Sequence, residues 1–457
     1  MSIQTDIWQI GDATAPLPPL VPGAPIFGHA LALAKDPSRF LVGLYQQYGP
    51  IFRIRIFNKV VTVIAGQEAN RFAAQQGQHI FTNHDDFIDL INALGTSKNL
   101  AVLEGEEHKF FRRTAHNGYS RATMAAAMPQ VVDVVANFLA SMKPGAVFDV
   151  FPTFQRLISL QLGRIAANLK ADDAIDDLQL FMRYLMNVFL AGIWPRFVLK
   201  FPSYIRVQKR AHELAQQVVD HHRENPPGDN RQRDLIDDFL QAHTEHPEIM
   251  SLDAVHAAAL GPFLAGQDTV AGTSAFMLYA IVSNPEIYAQ IQKEVDVLFA
   301  NGIPAATDFR NADVLHRTAI ETMRRYPVAP FMGQHVVQDF EFAGHRVERG
   351  QPIYVAQSLT HFMPEFFEDP FSFKINRPKP QAHTFAPFGV GPHTCIGAGM
   401  GELQIMVHIA TLLHQAKFSM QPATYQLKTK PIPPAPAKFR LKLVEKRIDP
   451  LPKADTK

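Results

Sequence analysis

One cysteine, Cys395, stands in 457 residues. A lone thiol excludes an intramolecular disulfide framework and a cysteine-based zinc cluster, so buried apolar side chains have to hold a chain of this length together. The material is present. Hydrophobic residues make up 47% and charged residues 19%, which is too apolar for disorder. Phe outnumbers Tyr 34 to 10, pointing to a large core with room for an apolar cavity. Lys+Arg at 44 and Asp+Glu at 43 leave a net charge of +1, without the basic footprint of a nucleic-acid binder.

The N-terminal 28 residues read as a Pro-rich extended lead-in and not as a signal peptide, because Asp6, Asp12 and several prolines break each apolar run. No stretch reaches about 18 uninterrupted apolar residues, so no transmembrane anchor is expected. Residues 185–194 are apolar except for Asn187 and are flanked by Arg183 and Arg196. They read as a buried helix end or loop, with membrane contact as the rival reading.

Further along, 51–56 and 60–64 alternate as two strands joined by Asn58 and Lys59, a hairpin. Helical patterns run over 37–48 and 68–76. The middle, about 107–322, is mainly helical, with a polar inter-helix loop at 223–233. The longest helix spans 251–283, with Ser251 as N-cap, Asp253 in its first turn and a local distortion at Pro262. After Pro327 short strands alternate with Pro, Gly and Asp. A helix follows Cys395 over 396–413, and short strands with a Pro-rich loop at 431–436 close the chain. Segregated helices and strands argue an α+β fold, predominantly α-helical.

Four motifs carry chemistry. The first is the loop Pro387, Phe388, Gly389, Val390, Gly391, Pro392, His393, Thr394, Cys395, Ile396, Gly397. Two glycines and a proline make a stiff turn that closes on the thiol as a helix begins. There, turn N–H groups and the helix N-terminus favour a sulfur anion. A buried inert cysteine is the plain alternative. The second places Ala265 and Thr269 on one face of the long helix, with Gly266, Gln267 and Asp268 between them. The third is Glu321 with Arg324, paired at i,i+3. The fourth is His108 with Arg112 at i,i+4, both able to reach one anion.

Together, and in the chain order His108 with Arg112, Ala265 to Thr269, Glu321 with Arg324 and then the cysteine loop, these motifs resemble the cytochrome P450 family. The likeness covers nearly the whole sequence. It implies one catalytic domain over 1–457 with a flexible tail at 446–457, and a long central helix over the haem beside small β-sheets. It also implies haem b (iron protoporphyrin IX) with Cys395 as axial thiolate, Phe388, Gly389, His393 and Gly397 beside it, and Ala265 and Gly266 close to the ring. His108 and Arg112 would hold the propionates. Glu321 and Arg324, joined by Arg377, would lock the haem-side loop without touching substrate. Thr269 and Asp268 would serve proton delivery. The family's propionate arginine after Glu-x-x-Arg is missing here, so Gln334 or His335 is expected in its place. By position, the substrate pocket would draw on Phe87, Leu90, Leu94, Gly261, Leu264, Ala265, Val328, Ala329 and Phe331, implying a hydrophobic small molecule.

No flavin or iron–sulfur module fits in the sequence. The resemblance therefore implies electrons from a ferredoxin with its reductase, or from a flavoprotein reductase. Lys109 and Arg113 are expected on the outer side of the His108 helix, where they would meet an acidic partner. A monomer in the cytoplasm is expected, with peripheral membrane contact as an additional possibility. The alternatives are a peroxide-driven haem-thiolate peroxygenase, and a non-oxygenase haem-thiolate isomerase, dehydratase or haem carrier.

Overall fold

The structure is a computed structural model, described over residues 6–11, 14–167, 174–228, 231–431 and 434–447. The expected tail falls outside these residues from 448 onward, as do residues 1–5, 12–13, 168–173, 229–230 and 432–433.

The helix Leu252–Val282 runs through the centre with most of its side chains buried. It packs against Val150–Ala167, Pro202–Glu224, Leu235–Glu245, Asp313–Arg325 and Ala398–Gln415, around which the largest apolar cluster gathers. A helix covered on so many sides needs apolar residues around its circumference, and this one has them. Ser251 occupies the expected N-cap position, without a side-chain capping bond, and Asp253 lies in the first turn. The helix continues through Pro262, whose ring leaves one turn without an N–H donor.

A second layer is a five-stranded sheet in the order Ile51–Ile56, Lys59–Ala65, Pro352–Ala356, Met332–Val336, Phe81–Thr82. The expected hairpin forms its first two strands, with Arg53 opposite Thr62. Where it is described, the lead-in is tied down by strand pairing and main-chain bonds. Trp8–Ile10 pairs antiparallel with Phe340–Phe342, and the Val21 N–H donates to the Arg53 carbonyl at 2.8 Å. The helix after the cysteine is Ala398–Gln415, two residues later than read from sequence. The Pro-rich segment expected as a loop instead places Thr429–Pro431 and Pro434–Pro436 in a two-stranded pairing, in which Lys430 and Ala435 face each other. Proline is compatible with such an edge pairing, since the ribbon has a free side.

Residues 185–194 are a helix end followed by a loop, only partly buried. The helix Ile175–Leu185 passes into a π-turn, Met186–Leu190, in which Val188 is buried while Leu190 and Ile193 are exposed. Among the described residues, no helix is long and apolar enough to cross a membrane.

Candidate active site

The cysteine loop is built by its backbone. Gly389 and Gly391 have φ of +83° and +82°, a region that side chains other than glycine's rarely enter. A Cβ on Gly391 would also lie 2.8 Å from the Ala73 carbonyl oxygen. The Cys395 N–H donates to the Phe388 carbonyl at 2.9 Å, and the Thr394 hydroxyl to that of Gly391 at 2.6 Å. The Gly397 N–H points at the Cys395 sulfur. Burial pushes the thiol pKa up, and this N–H and the Arg112 charge oppose it without cancelling it. Yet solvent reaches Cys395, so the sulfur lies within the protein but opens onto accessible space.

The central helix shows the same combination. Ala265 and Thr269 are exposed midway along an otherwise buried helix, and Gly261 and Leu264 are half-buried on the neighbouring turns. The stripe runs beside the cysteine loop, as Tyr119 shows. Its hydroxyl lies 3.4 Å from where a Gly261 Cβ would be, and its ring 3.8 Å from where a Gly397 Cβ would be. Gly261 thus faces the Tyr119 hydroxyl. Gly266 likewise points elsewhere, since a Cβ there would meet Leu162 at 3.1 Å. Its lack of a side chain serves the crossing with Val150–Ala167.

The Thr269 hydroxyl donates to the Ala265 carbonyl at 2.8 Å. Asp268 is buried, and its Oδ1 accepts from Gln155 Nε2 at 2.5 Å and Gln267 Nε2 at 3.3 Å. Gln267 in turn accepts from the Ser159 hydroxyl at 2.9 Å.

On the loop's other flank, Arg112 Nη2 donates to the Thr394 carbonyl at 2.7 Å. The His108 and His393 rings are 4.4 Å apart. His393 Nε2 lies 3.0 Å from Glu104 Oε2. Burial would raise the Glu104 carboxyl, but bonds from His393, Thr82 and the Asn83 backbone hold it below its usual range. Burial foremost, with the charges of His393 and Arg112, pushes His108 down to about 4, so it is neutral at pH 7. Gln334 joins this group through Asn83 Oδ1 at 2.9 Å. His335, the next residue on its strand, projects to the other face, 3.4 Å from Asp86. Of the two candidates for the missing arginine, the structure brings Gln334 to the His393 cluster.

The ion trio is assembled. Arg324 donates to both Glu321 oxygens at 2.8 Å, and Arg377 Nε lies 3.1 Å from the same carboxylate. On the proposed pocket wall, Val328 touches the central helix near Gly272, and Phe87 and Leu264 are partly buried. Gln357 fixes the Ala329 carbonyl at 2.9 Å. Leu90 and Leu94 are packed into the main core. These two are therefore accounted for by packing. Phe331 is half-buried and stacks on Tyr354, ring centroids 4.5 Å apart, beside the second cluster.

Sequence reasoning missed Glu104, Asn83, Tyr119, Gln155 and His361. The donor set and the accessible thiol beside a stripe of small residues fit a flat, anionic, iron-bearing ring with a soft axial ligand.

A cytochrome P450 family model matches residues 18–442. The chain belongs to the cytochrome P450 family and is a haem-thiolate enzyme of the monooxygenase type. It is 26% identical over 88% of its length to a cyclooctat-9-en-7-ol 5-monooxygenase of Streptomyces melanosporofaciens, covering 90% of that protein. It is 24% identical to a sterol 14alpha-demethylase of Mycolicibacterium vanbaalenii, over 87% of this chain and 91% of the relative. A pentalenene oxygenase of Streptomyces avermitilis is also 24% identical, over 88% and 91%. The crystal structure of the cytochrome P450DA heme domain superposes with a TM-score of 0.81 at 21% identity, over 96% of this chain and 99% of that one.

Proposed function

We propose that this enzyme uses haem b, held by Cys395, to insert one oxygen atom from O2 into a C–H bond of a hydrophobic small molecule. The electrons come from a separate ferredoxin or flavoprotein. The observation that carries this reading is the exposed Thr269 hydroxyl next to a buried, amide-anchored Asp268 on the stripe beside the cysteine loop. A peroxygenase or isomerase has no need of that pair. Bound haem with a thiolate ligand supplies oxygen binding and O–O cleavage.

The chain's own residues do the rest. Arg112, His393 and Gln334, with His108 beside them, form the polar edge for the propionates. Gln155 and Gln267 hold Asp268 by one oxygen, which keeps the carboxylate aligned for proton transfer. Thr269 can redirect its hydroxyl from the Ala265 carbonyl toward a ligand. Val328, Leu264 and Phe87 offer apolar contact. Relatives named for cyclooctat-9-en-7-ol, a sterol and pentalenene support a terpenoid, steroid or similarly apolar substrate. One domain over 1–457, a monomeric state and a cytoplasmic site complete the proposal.

Thr269→Ala tests it. Alanine is a good helix former and leaves the fold intact. Product per NAD(P)H is expected to fall several-fold while peroxide released per NAD(P)H rises. This is short of the roughly 10²-fold that loss of a positioned proton donor costs, because Asp268 remains. Unchanged coupling would remove Thr269 from the proton path. Turnover sustained by peroxide alone, with none from NAD(P)H and a reductase, would favour the peroxygenase.

The partner surface makes a second prediction. Lys109 and Arg113 face outward while His108 is buried, as the helical angles require. Lys109 is paired with Glu106 at 2.8 Å, which weakens its field. In Lys109→Glu with Arg113→Glu, first-electron transfer from an acidic partner should slow several-fold at low salt. Its salt dependence should flatten, and the substrate-induced spectral shift should be unchanged. Wild-type reduction rates at every salt concentration would place docking elsewhere.

A further inference from the structure

A cleft of about 360 Å³ lies away from the cysteine loop. The helices Ala30–Lys35 and Pro37–Tyr48, the end of Asp313–Arg325, the central helix and the Pro-rich strand pair bound it. That volume suits one small organic molecule. Phe276 brings the central helix into the cleft, seven residues beyond Thr269. Between the two, at Gly272, Val328 and the Pro434 carbonyl close on the helix. Packed atoms thus separate the cleft from the Thr269 stripe.

Its lining is cationic. Lys35, Arg39, Arg325 and Lys430 line it, against Asp36 as the one acidic residue among the described ones, in a chain whose net charge is only +1. Asp36 is already engaged: it accepts from the Arg39 N–H at 3.0 Å as the cap of its helix, and lies 3.5 Å from Arg39 Nε. Arg325 is half-buried, and no carboxylate among the described residues pairs with it. Its Nε donates to the Phe371 carbonyl at 2.7 Å, which leaves both Nη groups for another acceptor. Burial foremost disfavours its charge, with Arg324 and Arg39 acting the same way and Tyr326 and Asp36 opposing them. Arg39 and Arg325 lie against one ring, 4.4 Å and 5.8 Å from the Phe371 centroid. An anion between two such cations relieves their repulsion. The walls are aromatic as well: Phe276 stacks on Tyr326 at 4.9 Å, and Phe371 on Phe362 at 5.3 Å. Guanidiniums fixed beside flat rings offer forked donors to a charged group and apolar faces to the body that carries it.

We propose that this cleft is a second ligand site, separate from the substrate pocket, for a small organic anion with a flat apolar body, of the aryl carboxylate class. The inference stands apart from the catalytic reading.

The test is isothermal titration calorimetry of the haem-loaded protein with naphthoate, with its neutral amide and with inorganic phosphate, the Soret band being recorded on the same samples. Naphthoate is expected to bind one-to-one, to weaken with salt and to leave the Soret band in place. The amide and phosphate should each bind at least about tenfold more weakly, since one lacks the charge and the other the apolar body. Arg325→Gln should weaken naphthoate by at least about tenfold, through the loss of charge-assisted hydrogen bonds. Arg39→Glu with Lys430→Glu should do the same at two exposed positions that the fold does not depend on. An unchanged haem spectrum and melting temperature confirm that this double variant is folded. No binding of naphthoate, an amide that binds as tightly, or wild-type affinity in the double variant would overturn the proposal. Phosphate bound as tightly as naphthoate would make the cleft a site for a bare anion and overturn it equally. So would a naphthoate-induced Soret shift that persists in the double variant, which would place the ligand in the haem pocket.

Discussion

Cys395→Ser is expected to abolish the thiolate-type spectrum of the reduced carbon monoxide complex and reduce turnover to background, while the chain still folds. The loop's shape rests on main-chain contacts: Cys395 N–H to Phe388, Thr394 to Gly391, and Gly401 N–H to the Gly397 carbonyl at 2.7 Å. None of these uses the sulfur. Serine therefore fits the site but replaces a soft sulfur donor by a hard alcohol that stays protonated at neutral pH. Haem retention should fall because the axial bond is lost, whereas the polar edge at Arg112 and His393 is untouched. The measurement is the reduced carbon monoxide difference spectrum beside far-ultraviolet circular dichroism. A serine variant that keeps the thiolate-type spectrum would remove Cys395 as the axial ligand.

What could be read from sequence was whatever a short window encodes. The hairpin at 51–65, the long central helix and the glycine-bounded turn before Cys395 are each specified by neighbouring residues. So are i,i+3 and i,i+4 pairs such as Glu321 with Arg324. The misreadings came from tertiary context. Proline at 431 and 434 suggests a loop, yet the segment pairs with itself against the central helix. There, a Cβ on Gly272 would lie 2.7 Å from the Pro434 carbonyl oxygen. Gln334 and His335 are adjacent in sequence, and only the strand's pleat decides which one meets the His393 cluster. Leu90 and Leu94 were apolar residues near the right motifs, but apolar character does not separate a pocket wall from core. The missed polar residues join segments far apart in the chain. Glu104 reaches His393 across 289 positions and Gln155 reaches Asp268 across 113. No local pattern signals such a partner.

Glu321→Ala and Arg324→Ala are expected to yield protein with several-fold less haem per chain and lower thermal stability. Glu321 and Arg324 are 3% and 1% exposed, so neither charge is screened by water. Arg324 uses its guanidinium fully. Besides Glu321 it donates to the carbonyls of His361 at 2.6 Å, Pro370 at 2.7 Å and Ser372 at 3.1 Å. Glu321 also accepts from the Lys374 N–H at 2.9 Å. Removing one member of such a pair costs about 3–5 kcal/mol, against a total of roughly 5–15 kcal/mol for a folded protein. The damage should travel to the cysteine loop through His361. Arg324 holds the carbonyl of this residue, and its ring Nε2 accepts from the Ala386 N–H at 2.9 Å, two residues before Phe388. That acceptor role needs a neutral ring, and burial, with the Arg324 charge second, pushes His361 down to about 3. Glu321→Ala should be the more severe change, because it leaves the Arg324 and Arg377 guanidiniums side by side without their shared carboxylate. Arg324→Lys keeps the charge but not the planar fork, and should fall between wild type and Arg324→Ala. The ratio of Soret to protein absorbance and the melting temperature report both effects. Wild-type haem content and melting temperature in both alanine variants would show that the trio does not hold the haem-side loop.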